Sequence, residues 1–507
     1  MQRKTRAVTA ATVAAIVAAA VVAKRRAEHG DGHRPVISHA STTSRNAKLA
    51  TVGARAGGTY AVHRARRAFA SAERKEELDR AFELQTAEQV AEALGHMKGA
   101  MMKLGQMVSY LDQGMPEPVR DALAQLQQDA PPMAPELAAQ VITEELGAPP
   151  AEVFAEWDPV PIAAASIGQV HRAMTHDGRA VAVKVQYPGV DVAIEGDLDN
   201  AGMLFTTMKY MFPGLDPKPL VAELRERITE ELDYRIEADN QRLFADYYRD
   251  HPFIHVPDVI DGLGSRRVIT TELVAGARFS EVTSWPVSER DRVGEIIYRF
   301  VFGSLYRLGA FNGDPHPGNY IFGADGRVSF LDYGLVKRFT PEELLPFEQM
   351  IDAAVINPDR ARFRRIVEGV GLIKPGLDFT DEQVERYFGH FYEFVKDDEA
   401  RTFDAEYASE MVARFFDTSS EHAEIMKAAN VPQSMVIIQR INLGLMAVLG
   451  ELGATARWRE ISEEIWPWVG AEPRTELGRA EAEWRRRTGR GRAVVERDPS
   501  PVTASGS

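Results

Sequence analysis

The stretch Asn319-Tyr-Ile-Phe-Gly-Ala-Asp-Gly-Arg-Val-Ser-Phe-Leu-Asp332 contains two short apolar runs on either side of Asp325-Gly326. Asp-Gly between such runs predicts a hairpin with a two-residue type I′ turn, because both central positions then need positive φ. Pairing about that turn sets 324 opposite 327 and, continued outward, Asn319 opposite Asp332. An amide and a carboxylate fixed side by side supply hard oxygen ligands, which suit Mg²⁺.

Working outward, Asp314 stands five residues before Asn319, in Asn312-Gly-Asp-Pro-His-Pro-Gly318, whose prolines and glycines force a rigid, irregular loop. A third oxygen group is thus delivered near the same place. The spacing D-x-x-x-x-N followed by Asp332-Tyr333-Gly334 is that of a protein-kinase catalytic loop and its metal-binding aspartate. Each piece alone reads as an ordinary turn; their order and spacing together carry the signal.

Phosphoryl chemistry of this kind also needs a strand lysine upstream, and Val181-Ala-Val-Lys-Val185 supplies Lys184. Alternation puts the three valines on the core face and Ala182 and Lys184 on the other, where the small Ala182 leaves room for a flat base. Ala163-Ala164-Ala165-Ser166 precedes it, at the place of a phosphate-covering loop, and its small residues let the backbone approach phosphates less freely than glycine would. In Glu230-Glu-Leu-Asp-Tyr-Arg-Ile-Glu237 the helical spacing sets Asp233 and Glu237 one turn apart. Glu237 is the expected partner of Lys184, against the plainer reading of a solvated acidic face.

The rest of the chain frames this site. Its 507 residues, 45% hydrophobic and 26% charged, are those of a folded protein with length for about three domains. A mean hydropathy of −0.26 excludes a polytopic membrane protein. The absence of cysteine excludes disulfides, thiolate metal sites and thiol nucleophiles. The net charge of −14 argues against nucleic-acid partners and hides an asymmetry. Residues 1–70 carry 13 basic against two acidic residues, a net +11, so the remainder carries −25. A basic leader on an acidic body suggests contact with an anionic membrane surface.

Within the leader, residues 7–23 form an uncharged, alanine-rich run between basic flanks. As a helix it spans about 25 Å, short of a roughly 30 Å hydrocarbon core. Three readings stay open: a marginal anchor or surface helix, a cleaved signal peptide, and a disordered leader. Helical periodicity runs over 72–126 and 135–147. Strands are expected at 170–174 and 179–186 around His176-Asp177-Gly178, helices at 191–212 and 218–249, and strands within 253–276. Helices dominate 286–311 and the chain after Pro341, where Thr340 is the expected cap. The stretch 435–449 reads as a buried helix in preference to a membrane-facing surface.

At this point the sequence resembles the UbiB/AarF family of atypical kinases over roughly residues 75–470. The resemblance rests on Lys103-Leu-Gly-Gln106 (the family's KxGQ), the alanine loop, Val-Ala-Val-Lys184, Glu231-Leu-Asp233 (its ExD), Asp314 to Asn319, and Asp332-Tyr333-Gly334. It departs from many members at Tyr333, where they have Phe, and at Asn312-Gly313. The resemblance implies an α+β, two-lobed protein-kinase-like fold with an N-terminal helical KxGQ extension. The expected segments are a basic leader (1–71), the extension (72–150), an N-lobe with a helical insertion (151–276), a C-lobe (277–475) and a disordered tail (476–507).

It further implies that Lys103 reaches Glu231 and Asp233, and that Gln106 lies near the phosphates. Ala163, Ala164, Ala165, Ser166 and Lys184 would then contact the nucleotide, Asn319 and Asp332 would hold Mg²⁺, and Asp314 would be the base. ATP and Mg²⁺ are the expected cofactors. Gly313 replaces the arginine that receives an activation-loop phosphate, His316 stands where a lysine often meets the transferring phosphate, and Leu335–Thr340 leaves no room for a peptide-docking segment. The first expectation is therefore an ATPase or small-molecule kinase acting at a membrane surface on a lipid or quinone-precursor ligand. A nucleotide-gated lipid-binding protein or chaperone is second, and a protein kinase third. A location on the cytoplasmic side is expected, with any membrane attachment through the leader.

Overall fold

The computed structural model describes residues 134–165, 167–190, 232–313, 315–404, 406–407, 423–429 and 433–490. The leader, Lys103, Gln106, Ser166, Glu231, Asp314 and the chain beyond Arg490 lie outside these residues.

In chain order the first lobe contains α1 (Pro135–Leu146), β1 (Glu156–Ala165), β2 (Gly168–Met174), β3 (Ala180–Gln186), α2 (Tyr234–Tyr247) and β5 (Val268–Glu272), while β4 (Ile254–His255), between α2 and β5, joins the sheet of the second lobe. Strands β1-β2-β3-β5 form an antiparallel sheet. Its cause is visible in β3, where Val181, Val183 and Val185 are fully buried and the residues between them are not. The valines pack on Ala138, Val141 and Ile142 of α1 and on Phe154. Each such side chain stabilises the lobe by about 1.5–3 kcal/mol relative to exposure. Arg267 clamps α1 to the sheet, its guanidinium 2.7 Å from Glu145 and 2.8 Å from Glu144.

Leu273–Gly276 crosses to the second lobe, which begins with β6 (Ala277–Arg278), α3 (Val287–Gly303), β7 (Ala310–Asn312), β8 (Tyr320–Phe322), β9 (Val328–Phe330) and β10 (Val336–Arg338). Strands β4-β9-β8-β6 form a small mixed sheet, with β4 parallel to β9, and β7 pairs with β10. Helices α4 (Pro341–Ile351), α5 (Arg360–Gly369), α6 (Asp381–Phe388), α7 (Gln433–Leu452), α8 (Trp458–Ile465) and α9 (Glu476–Thr488) follow. The small sheet rests on α3, where the Phe300 and Phe330 rings stack 3.6 Å apart. This sheet-rich first lobe and mostly helical second lobe make the protein-kinase-like fold expected from the sequence.

Thr340 caps α4 in a reciprocal capping box with Glu343, as its sequence predicts. In the second half of α7, Leu445, Met446, Val448, Leu449 and Leu452 are buried. No helix among the described residues is long and apolar enough to cross a membrane.

Four expectations are corrected. The 319–332 hairpin closes through three residues: Gly326 N–H donates to Gly323 O, Gly323 N–H donates to Arg327 O, and only Gly326 has positive φ (+79°). This is a type I turn followed by a left-handed glycine, so the register moves by one. Tyr320 faces Phe330, and Asn319 aligns with Leu331 rather than Asp332. Second, Ala163, Ala164 and Ala165 belong to β1, paired with Val170, Gln169 and Gly168, so the loop is a tight hairpin. Third, Asp233 precedes α2 as its N-cap and so does not share the Glu237 helix face. Fourth, residues 476–488, expected within a disordered tail, are a helix that buries Leu477, Glu481 and Trp484.

Glu481 belongs to a charged knot in the core of the second lobe. Arg299 of α3 lies 2.8 Å from Glu295 and 3.1 Å from Glu481, and also pairs with Glu464 of α8. Burial lifts the Glu464 and Glu481 carboxyls, but Arg299, with Arg485 beside Glu481, outweighs it and leaves both below the usual carboxylate range.

Candidate functional site

Lys184 projects from the face of β3 opposite its valines, as the alternation predicts. Its Nζ donates to Glu237 Oε1 at 2.8 Å and Oε2 at 2.9 Å, and to Asp332 Oδ2 at 3.3 Å. Glu237 sits in the first turn of α2, whose entry is fixed by Asp233. The Asp233 carboxylate accepts from the Arg235 backbone N–H and also pairs with the Arg235 guanidinium. Tyr234 adds a ring face 5.0 Å below the ammonium. Burial pulls the Lys184 ammonium down, but the carboxylates of Asp332 and Glu237 outweigh it and hold its pKa well above the ordinary lysine value.

Asp332 leaves β9 and is held from three sides. Gly334 N–H donates to Oδ1 at 2.9 Å, Lys184 holds Oδ2, and Asn312 Nδ2 donates to the backbone carbonyl at 2.6 Å. Tyr333 points away, fully buried against Phe244, and its carbonyl accepts from Asn240 of α2 at 3.2 Å. Asn319 stands at the open end of the same hairpin, where its carbonyl accepts from Leu331 N–H. Both residues offer hard oxygen donors, a set that fits Mg²⁺ completed by phosphate and water oxygens. His316 Nδ1 accepts from Gly318 N–H at 3.0 Å, so that imidazole braces its own loop.

The wall above is made by the strand register. Val170 faces Lys184, Arg172 faces Ala182, and on the other side Ile269 and Thr271 face Lys184 and Ala182. Cross-strand partners share a face, so Val170 and Ile269 flank the lysine, Ala182 and Thr271 lie on the same face one pair along, and Ala163 stands beside Val170. Sequence reasoning missed Val170, Thr271, Tyr234, Asn240 and Asn312. Val170 and Thr271 carry a weak signal in strand alternation, whereas Asn240 and Asn312 meet the 332–333 backbone from distant elements.

Below the cleft, Gly313 N–H donates to Leu335 O at 2.7 Å and β10 pairs back onto β7 immediately, so only the short strand β10 and its flanks separate Gly334 from α4.

Comparison with known proteins places the chain among kinase-like proteins. Residues 125–367 match the family described as ABC1 atypical kinase-like domain. Over 296 residues the chain is 34% identical to an uncharacterized Synechocystis protein, covering 57% of this chain and 43% of that one. It is 31% identical over 278 residues to the mitochondrial atypical kinase COQ8B of Rattus norvegicus, covering 54% and 52%. The chain thus spans about half the length of the curated relatives it matches. A Mycobacterium tuberculosis protein solved in complex with erythromycin superimposes with a TM-score of 0.57 at 32% identity, covering 78% of this chain and all of that one.

Proposed function

Since the chain belongs to the UbiB/AarF family of atypical kinases, we propose that it binds ATP with Mg²⁺ in this cleft and hydrolyses it, or passes its terminal phosphoryl group to a small molecule. The observation that carries this reading is the placement of Lys184 within 2.8 Å of Glu237 and 3.3 Å of Asp332. One cation held between a helix carboxylate and a carboxylate at the hairpin mouth is the arrangement phosphoryl transfer uses to position a nucleotide.

In this proposal Glu237 aims the Lys184 ammonium at the phosphates, and Asp332 and Asn319 would hold Mg²⁺, which would supply positive charge to the phosphoryl oxygens. Ala163, Ala164 and Ala165 cover the phosphates, a role the family resemblance extends to Ser166, and Ala182, Val170 and Thr271 receive the base. Asp314 receives the proton of the attacking hydroxyl or water. Lys103 and Gln106 close the cleft by way of Glu231 and Asp233, a role taken from the family resemblance. The short passage from Gly334 to α4 favours a small acceptor over a docked peptide.

The acceptor chemistry proposed is an isoprenoid quinone precursor or another lipid at a membrane surface, approached through the basic leader. The second reading is nucleotide-gated binding of a lipid or other small molecule with little turnover. It is favoured by the solved relative's description as a complex with erythromycin. Hydrolysis of ATP by the protein with and without anionic vesicles decides between them: vesicle-stimulated hydrolysis, lost in Asp332→Asn, supports the first. Nucleotide-dependent vesicle binding without hydrolysis supports the second.

A further inference from the structure

His255 of β4 is the register partner of Ser329 on β9, and Ser329 that of Ile321 on β8. These three side chains therefore share one face of the small sheet. Tyr320, Phe322, Val328 and Phe330 fill the core from the other. His255 Nδ1 lies 2.9 Å from Ser329 Oγ, and its Nε2 lies 3.2 Å from Glu272 Oε2. Glu272 is the last residue of β5, after which Leu273–Gly276 crosses between the lobes. Ser329 stands three residues before Asp332. One imidazole thus connects the start of the crossover to the strand that delivers Asp332.

A carboxylate only accepts, so Nε2 donates its proton to Glu272, and the Ser329 hydroxyl, which can both donate and accept, completes the link at Nδ1. Serine, histidine and glutamate in this order resemble a hydrolase triad, but Ser329 is only 3% exposed, between strands β4 and β8, and is no nucleophile.

We propose that His255 is a positioning residue that fixes the spacing between the Leu273–Gly276 crossover and the Asp332 strand, and so holds the cleft at the opening in which a nucleotide meets both lobes. The inference rests on the nucleotide-binding reading above. The crossover is pinned at both ends. Glu272 N–H donates to Asp258 O at 2.9 Å, and a Cβ at Gly276 would stand 2.4 Å from Phe322 O, so that end lies directly on β8. The hydrogen bond from His255 holds the Glu272 carboxyl below the usual carboxylate range, with Arg327 adding to it. At the Glu272 end, His255 adds a side-chain link from the crossover to β9.

The test measures kcat and KM for Mg-ATP, together with hydrogen exchange of 273–276 and 328–334 in the absence of nucleotide. His255→Ala should raise KM about fivefold, the equivalent of about one hydrogen bond, while kcat changes less than about twofold. It should also speed exchange at 273–276. His255→Gln donates and accepts at comparable positions and should restore both. An unchanged KM in His255→Ala, a fall in kcat alone, or failure of His255→Gln to rescue would overturn the proposal. If His255→Ala does not fold, Ser329→Ala, which breaks the same link and leaves little void, is judged by the same criteria. A parent protein that binds no Mg-ATP would overturn the functional reading. Exchange alone would then decide the link, faster exchange in His255→Ala supporting it and unchanged exchange refuting it.

Discussion

Lys184 and Glu237, 53 residues apart in sequence, are joined by two hydrogen bonds of 2.8 and 2.9 Å from one ammonium to both carboxylate oxygens. Because the Lys184 pKa is raised, the stability this pairing contributes is fully present at neutral pH and is lost only as pH climbs above the ordinary lysine value. Glu237→Gln removes the charge with little change of shape. It should lower kcat/KM for ATP by about 100-fold, the scale of losing one charge-assisted positioning contact, and leave the circular dichroism spectrum unchanged. Unaltered kcat/KM would remove Glu237 from the site.

Gly168 opens β2 so close to β3 that an added Cβ would stand 2.2 Å from the Val185 carbonyl oxygen. Gly168→Ala must push the covering hairpin off the sheet. It should destabilise the protein by about 1–3 kcal/mol, as overpacking does, and raise KM for ATP. Urea unfolding and steady-state kinetics on the same preparation measure both, and full stability with parental KM would contradict the assignment.

Much of this site was legible because its signals are local. The valine alternation placed Lys184, and Thr340 with Glu343 announced the start of α4. The 319–332 turn was misread because Asp325-Gly326 suits a type I′ turn, whereas Gly323 one position earlier lets the loop close over three residues. Only one positive φ is then needed. In α9 the arginines hide the spacing of Leu477, Glu481 and Trp484, whose helix is held by burial and by the Glu464 carboxylate accepting from Thr475 N–H at 2.7 Å. His255 and Asn312 gave no signal, since their partners come from elements whose adjacency is set by the whole fold.

Arg299 is 1% exposed and faces three carboxylates. Arg299→Ala leaves Glu464 and Glu481 buried without their shared cation. The expected cost is about 3–5 kcal/mol, read by urea unfolding. Arg299→Lys should recover little of it, because an ammonium cannot bridge three carboxylates as the planar fork does. A loss below about 1 kcal/mol would show that the knot relaxes.

His251 is buried among Tyr248, Phe253 and Trp484, and its Nδ1 accepts from Ile254 N–H at 3.0 Å. Burial, with Arg485 and Arg299 acting against Glu481, pushes its pKa from 6.5 down to about 3. The unfolded chain therefore binds a proton that the folded one refuses. The stability from keeping this ring neutral is present above pH 6.5 and falls as pH drops toward 3, by at most about 1.4 kcal/mol per pH unit. His251→Asn keeps an acceptor for the Ile254 N–H and removes the titration, so its stability should fall less steeply between pH 6.5 and 4.5. Parallel curves for the two proteins would contradict this.

The central claim is that the carboxylate of Asp332, held by Gly334 N–H and Lys184, binds Mg-nucleotide. Thermal shift of the parent and of Asp332→Asn, titrated with ATP in the presence and absence of Mg²⁺, tests it most directly. The account predicts that Mg-ATP raises the melting temperature of the parent, by about 2.7 kcal/mol of stabilisation at a hundred times Kd. Asp332→Asn should fold normally and show no Mg²⁺-dependent shift, whereas an Asp332→Asn protein stabilised by Mg-ATP as strongly as the parent would contradict the account.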